Sequence, residues 1–199
     1  MFADYSSGLG CTDLSQNSII DVGIPSAAGA DFSQDGKYRY TLWRIWDRSK
    51  PMVLFILLNP STADEIKLDP TLTRCNSFAQ QWGYGGMLVG NLFALRSTNP
   101  KALYKAKDPI GPENDRKLQE LIGMAAITVV GWGTHGNFMD RGKKVLAMVK
   151  HPYCLDYNIN GSPKHPLYLR GDMVPVPYSL VPDTGVSSSV NGTIQAEPI

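Results

Sequence analysis

The chain has 199 residues, 43% of them hydrophobic, and a formal net charge of +1. That length carries one full core, and the balance suits a soluble globular domain and argues against a strongly electrostatic polyanion binder, while leaving room for a local basic groove. Cys11, Cys75 and Cys154 show neither CxxC nor zinc spacing, which fits free thiols in a reducing cytoplasm; no apolar run nears the ~20 residues of a membrane span, and no secretory signal is read at the N-terminus.

Residues 1–36 are rich in Ser, Gly, Asp and Ala with little periodicity, and a flexible arm is expected there, with at most a short strand over 15–24. Residues 38–46 alternate like a half-buried strand, and the polar turn 47–51 leads into the next one as an edge hairpin. Residues 53–58 (VLFILL) are continuously apolar, the pattern of a strand covered on both faces. Pro60 ends that strand, so Asn59 stands at its carboxyl end, where open α/β sheets place ligand chemistry. Asp69 and Pro70 then open a helix as N-cap and first residue. Leu72, Cys75, Phe78, Ala79 and Trp82 form its apolar stripe, and Gly83 is its stop.

Residues 87–93 (MLVGNLF) read as a second buried strand, in which Gly90 marks a bulge or a close backbone approach. Pro112 fits the start of a helix with Leu118, Leu121, Ile122 and Ala125 inward. Residues 126–132 (AITVVGW) are the third strand, left through the turn 131–136. A helix over 139–150 is expected with Val145, Leu146, Met148 and Val149 inward, then a short strand at 153–155 and a turn-rich stretch at 158–166. Residues 181–199 lack pattern and are expected to be disordered. Strands alternating with helices predict a single α/β domain over 37–180, three-layered, around a mainly parallel sheet of about four strands.

The exits of parallel strands share one edge, so Asn59, Asn91, the turn at Trp132 and Gly133, and His165 are expected to border one crevice. Amides pair donor with acceptor, the complement of a nucleobase edge, and a neutral imidazole can donate to a developing anion. Each residue also has a plainer role. Asn59 before Pro60 can close a turn, and Asn91 can satisfy backbone groups at the Gly90 kink. His165 and His135 can be surface loop residues, and Trp132 core. Asp64, Glu65 and Asp69 are better read as a solvated loop and a helix cap than as a carboxylate cluster. Cys75 lies on an apolar stripe, which argues against a thiol nucleophile. No Walker loop occurs, and scattered His and Cys offer no metal site; no cofactor is expected.

LLNPSTA, GNLFALRS, TVVGWGTHGN and the box ending in HPLYL, covering roughly residues 38–169, resemble a bacterial and phage family of uncharacterised proteins. The same four elements, in the same order, distantly resemble the uracil-DNA glycosylase superfamily. That resemblance implies a uracil-DNA glycosylase-like fold. It implies that Asn59, in the turn with Pro60 and Ser61, positions the attacking water, that Asn91 reads the base edge, and that His165 hydrogen-bonds the departing base. Trp132 and Gly133 would form part of the wall. The partner implied is a nucleobase, a nucleotide or DNA, in base repair or modification, with no membrane. The chain departs from the pattern at Ser61, where Gly is common, and at Leu167 and Tyr168, where Ser-Pro is usual. Two other classes stay open: a non-catalytic nucleobase-binding module of the same fold, favoured by an amide where a carboxylate is the stronger water activator, and an unrelated small-molecule hydrolase.

Overall fold

The computed structural model describes residues 27–61 and 68–179. The expected arm up to residue 26, the strand read at 15–24, Cys11, Asp64, Glu65 and the expected tail lie outside the described residues. The strands are β1 (Ala28–Phe32), β2 (Arg39–Ile45), β3 (Met52–Leu57), β4 (Gly86–Asn91), β5 (Ile127–Val130), β6 (Pro152–Cys154) and β7 (Val176–Pro177). The α-helices are α1 (Pro70–Gln81), α2 (Asn114–Met124) and α3 (Arg141–Leu146).

These strands form one seven-stranded sheet in the order β1-β2-β4-β3-β5-β6-β7. β3 pairs in parallel with β4 on one side and β5 on the other, and β5 pairs in parallel with β6. β1, β2 and β7 add antiparallel pairings at the two edges. The sheet is therefore mixed and larger than the mainly parallel, four-stranded one expected from the buried runs. The additional strands are edge strands with little apolar pattern. β1 falls among residues assigned to the arm, and β7 contains Pro177, which an edge tolerates because no ladder partner needs its missing N–H.

The edge hairpin between β2 and β3 does not form, because β4 lies between them. Gly85 makes this possible: a Cβ there would stand 1.9 Å from the Asp47 carbonyl oxygen. With only hydrogen in that place, the start of β4 passes against the 47–50 turn, and Trp46 N and Asp47 N both donate to the Gly85 carbonyl at 2.9 Å.

The buried run of β3 supplies both cores, as alternation requires. Val53, Phe55 and Leu57 face Leu72, Cys75 and Phe78 of α1. Leu54 and Ile56 face Leu118 and Leu121 of α2 and Val145 of α3. Each such fully buried side chain contributes about 1.5–3 kcal/mol of transfer free energy. α1 begins as read: the Asp69 carboxylate accepts from Leu72 N at 2.8 Å, and Gly83, at φ +82°, ends it in the left-handed region. α2 starts at Asn114, two residues later than Pro112 suggested. α3 is shorter than the helix expected over 139–150. Met139 (φ 57°) and Asp140 (φ 55°) are left-handed, so helical geometry begins only at Arg141.

Gly90 is a close approach rather than a bulge. A Cβ on it would lie 2.6 Å from Leu118 Cδ2 and 3.1 Å from Leu121 Cδ1. Gly90→Ala should therefore force the Leu118 and Leu121 side chains out of their places in the core and cost about 1–3 kcal/mol, read as a lower urea midpoint at unchanged m-value. A midpoint like that of the wild type would mean that α2 gives way freely.

Candidate functional site

β3 is followed by α1 and then β4 on one side; the chain next returns through α2 to β5 on the other side of β3. The order reverses at β3, and the carboxyl ends of β3 and β5 are where an open α/β sheet of this kind sets its ligand site. Asn59, Asn91, Trp132 and His165 all belong to segments at this edge.

Asn59 follows β3 and turns its amide nitrogen into the loop after β4. Nδ2 donates to the carbonyls of Ser97 (2.8 Å), Pro60 (3.0 Å) and Leu95 (3.5 Å). Three carbonyls around one atom fix the amide orientation, because only the NH2 end can donate. Asn59 thus closes the turn, and its Oδ1 is the end that faces elsewhere. Pro60 is buried and its carbonyl also accepts from Ser97 N at 2.9 Å. Ser61 Oγ donates to Asp69 Oδ2 at 2.5 Å, tying the β3 exit to the first turn of α1.

Asn91 pairs with Leu57 at the end of β4. Gly90 faces α2, so alternation turns Asn91 toward the α1 side, the side of Val89 and Met87. Asn91 is 2% exposed, and its side-chain amide makes no hydrogen bond among the described residues. Its carbonyl, by contrast, is held from behind by Asn114 Nδ2 at 3.0 Å. The same Nδ2 reaches Leu92 O at 3.0 Å, where Arg141 Nε also donates at 2.8 Å. Asn114 and Arg141 are 0% and 1% exposed, and Arg141 pairs with Asp115. Two buried polar side chains thus brace the strand end that carries Asn91.

His165 reaches the same side. The segment Pro166–Tyr168 packs against α1, and Gly131 admits it closely, since a Cβ there would meet Pro166 Cδ at 2.9 Å. Gly133 N donates to Pro163 O at 2.9 Å, so the β5 exit and the His-Pro segment are joined through backbone. His165 Nδ1 accepts from Leu167 N at 3.4 Å, which leaves the ring proton on Nε2 in the neutral form. Burial lowers the His165 pKa below 6.5, with the Asp69 carboxylate opposing. The imidazole is therefore a neutral donor at neutral pH.

Trp132 does not join this group. It is 3% exposed and packs with Val145 and Tyr178 on the α2 and α3 side, where Gly136 lies so close that a Cβ would meet its ring at 2.0 Å. It packs into the core on that side, while Gly131 and Gly133 are the residues of that turn that meet the His165 segment. Arg39, by contrast, carried no sequence signal. It is 2% exposed, and burial lowers its pKa to about 10, with Asp69 opposing. It stays cationic at neutral pH and puts a buried positive charge near the Asp69 carboxylate. Cys75 is fully buried, and burial pushes its thiol up, away from nucleophilic use. Among the described residues no cluster of His, Cys, Asp and Glu suits a metal ion, and no helix is long and apolar enough to cross a membrane.

Residues 39–167, which include Arg39, Asn59, Asn91, Asn114, Trp132, Arg141 and His165, match the family model described as "Protein of unknown function (DUF1643)". The chain belongs to the DUF1643 family. No curated protein and no solved structure matches it. The DUF1643 region begins at Arg39 and ends two residues after His165, so it includes Asn59, Asn91 and His165 and leaves out the edge strands β1 and β7.

A pH prediction follows from the depressed His165 pKa. A His that folds in its neutral form contributes stability that is complete above the unfolded value of 6.5. That contribution is lost as pH falls below 6.5 toward the lower folded value. The wild type should therefore lose more stability than His165→Gln between pH 6.5 and the onset of carboxylate titration, measured as Tm against pH. Parallel curves for the two proteins would show that His165 does not titrate as described.

Proposed function

We propose that the crevice at the exits of β3, β4 and β5 binds a nucleobase, and that the protein acts as a uracil-DNA glycosylase-like hydrolase of an N-glycosidic bond in DNA or a nucleotide. The observation that carries the reading is the Asn91 amide, buried and without an internal hydrogen-bond partner at a strand exit. A ligand presenting a paired donor and acceptor supplies both of the bonds this amide does not make inside the protein, each worth about 0.5–1.5 kcal/mol net. A base edge is such a ligand. His165, with its proton on Nε2, supports the same reading on the same side of the sheet.

In this reading water attacks the anomeric carbon, the C–N bond breaks, and the base leaves with the bonding pair and then takes a proton. His165 Nε2–H donates to the base oxygen where negative charge grows. Asn59 Oδ1 accepts a hydrogen bond from the water and orients it, while its NH2 stays on the loop carbonyls. An amide cannot take the water's proton. That favours the second reading, a nucleobase-binding module without turnover.

The test is incubation with oligonucleotides carrying uracil, hypoxanthine, xanthine or hypermodified pyrimidines, followed by alkaline cleavage of abasic sites. Cleavage that is lost in His165→Ala supports the hydrolase. Base binding by the wild type without cleavage of any oligonucleotide supports the module. Absence of both removes the nucleobase reading.

A further inference from the structure

A second surface lies on the segments that follow β4 and β5, over the α2 and α3 side of the sheet. Tyr104, in the 3-10 turn Pro100–Lys105, is 47% exposed yet held on two sides. Its hydroxyl hydrogen-bonds His135 Nδ1 at 2.6 Å. Its ring meets Phe138 edge-on, with centroids 4.5 Å apart at 71°. Phe138 in turn rests on the fully buried Phe93 at 5.7 Å. A row of rings therefore runs from the core to the surface and ends in an exposed, fixed aromatic. Beside it Met139 is 45% exposed, and with Asp140 it forms the left-handed turn that follows Phe138.

Cations outnumber carboxylates around this row. Lys101, Lys105 and Lys107 are exposed on the Tyr104 segment, and Lys143 and Lys144 on α3. None of them forms an ion pair among the described residues. Asp140 is the exposed carboxylate in the same two segments; Asp108, at their margin, is spent on the backbone N–H groups of Ile110 and Gly111. Arg141 is buried and paired with Asp115, so it does not act here.

We infer that this surface is a single-stranded nucleic-acid platform, on which a base stacks against Tyr104 while the lysines follow the backbone. A fixed exposed aromatic among unpaired cations is the combination that binds single strands without reading sequence, because every base has a π-face. A near-neutral net charge does not oppose this, since the local footprint sets polyanion binding. The inference deepens the nucleobase reading and rests on it for the crevice, but the platform binds strands that carry no target base.

The experiment measures anisotropy of a fluorescein-labelled oligothymidylate with the full chain at two salt concentrations. The wild type should bind, more weakly at high salt. Tyr104→Ala should weaken binding roughly 5- to 150-fold, the worth of one stacked base. Tyr104→Phe, which keeps the ring and loses the bond to His135, should restore most of it. Lys105→Glu with Lys107→Glu should weaken binding and flatten the salt dependence. Free uracil binding, measured in parallel, should be the same in Tyr104→Ala as in the wild type. No binding by the wild type, equal binding by Tyr104→Ala, or equal preference for a duplex of the same length would overturn the platform. Strand binding that survives while free bases do not bind would remove the crevice reading and leave the platform standing.

Discussion

Asn91→Leu should leave the fold at least as stable as the wild type and remove about 1–3 kcal/mol of nucleobase affinity. The two effects have one cause. Asn91 is 2% exposed, and its amide makes no hydrogen bond among the described residues, so an apolar side chain of similar size gives up no internal bond there. Urea denaturation should show an unchanged or higher midpoint, while calorimetric titration with free bases shows the loss. A core polar residue with a structural task behaves the other way, losing stability first. A destabilised Asn91→Leu that binds bases like the wild type would assign Asn91 to the scaffold.

Asp115→Ala should cost about 3 kcal/mol of stability although Asp115 is a surface carboxylate. Its partner Arg141 has 1% side-chain exposure against 55% for Asp115. Removing the carboxylate leaves the guanidinium buried without its counter-ion, the costly way to break such a pair. The exposure of Asp115 admits some water, which keeps the figure at the lower end of the range. The pair of Lys164 and Asp156 is the internal control: both are about 40% exposed (40% and 39%), and losing it should cost under about 1 kcal/mol. Thermal denaturation of the two variants side by side measures the contrast. Similar losses would mean that Arg141 is not held by Asp115.

The sequence made the centre of the sheet readable because its residues answer to one constraint each. Residues 53–58 are apolar throughout since both faces of β3 are covered, and Asp69, Pro70 and Gly83 each satisfy a local backbone need at the ends of α1. The edges were not readable in the same way. β1 and β7 pair with the strands next to them in sequence but carry little apolar alternation to mark them, and the insertion of β4 beside β2 depends on Gly85 meeting the Asp47 turn, 38 positions earlier in sequence.

The site divides along similar lines. Strand ends announced Asn59, Asn91 and His165, but not which face each side chain takes. Trp132 leaves β5 for the α3 side, whereas His165 approaches from the α1 side, because glycines at 131 and 136 let different neighbours close in on each face. Asn114 and Arg141 were missed, yet a signal existed. Asn114 continues the stripe of Leu118 and Leu121, and Arg141 that of Val145 and Val149. A polar side chain on an otherwise apolar stripe marks a buried hydrogen-bonding task, here the bracing of the Asn91 and Leu92 carbonyls.

The central claim is that Asn91 and His165 meet one base. The direct measurement is a nuclear magnetic resonance titration of the nitrogen-15-labelled protein with uracil and other free bases, following the Asn91 side-chain amide and the His165 ring nitrogens. The predicted result is a saturable shift of both signals with the same midpoint, lost in Asn91→Leu. Signals that stay in place at saturating base, or that move with different midpoints, would contradict the account.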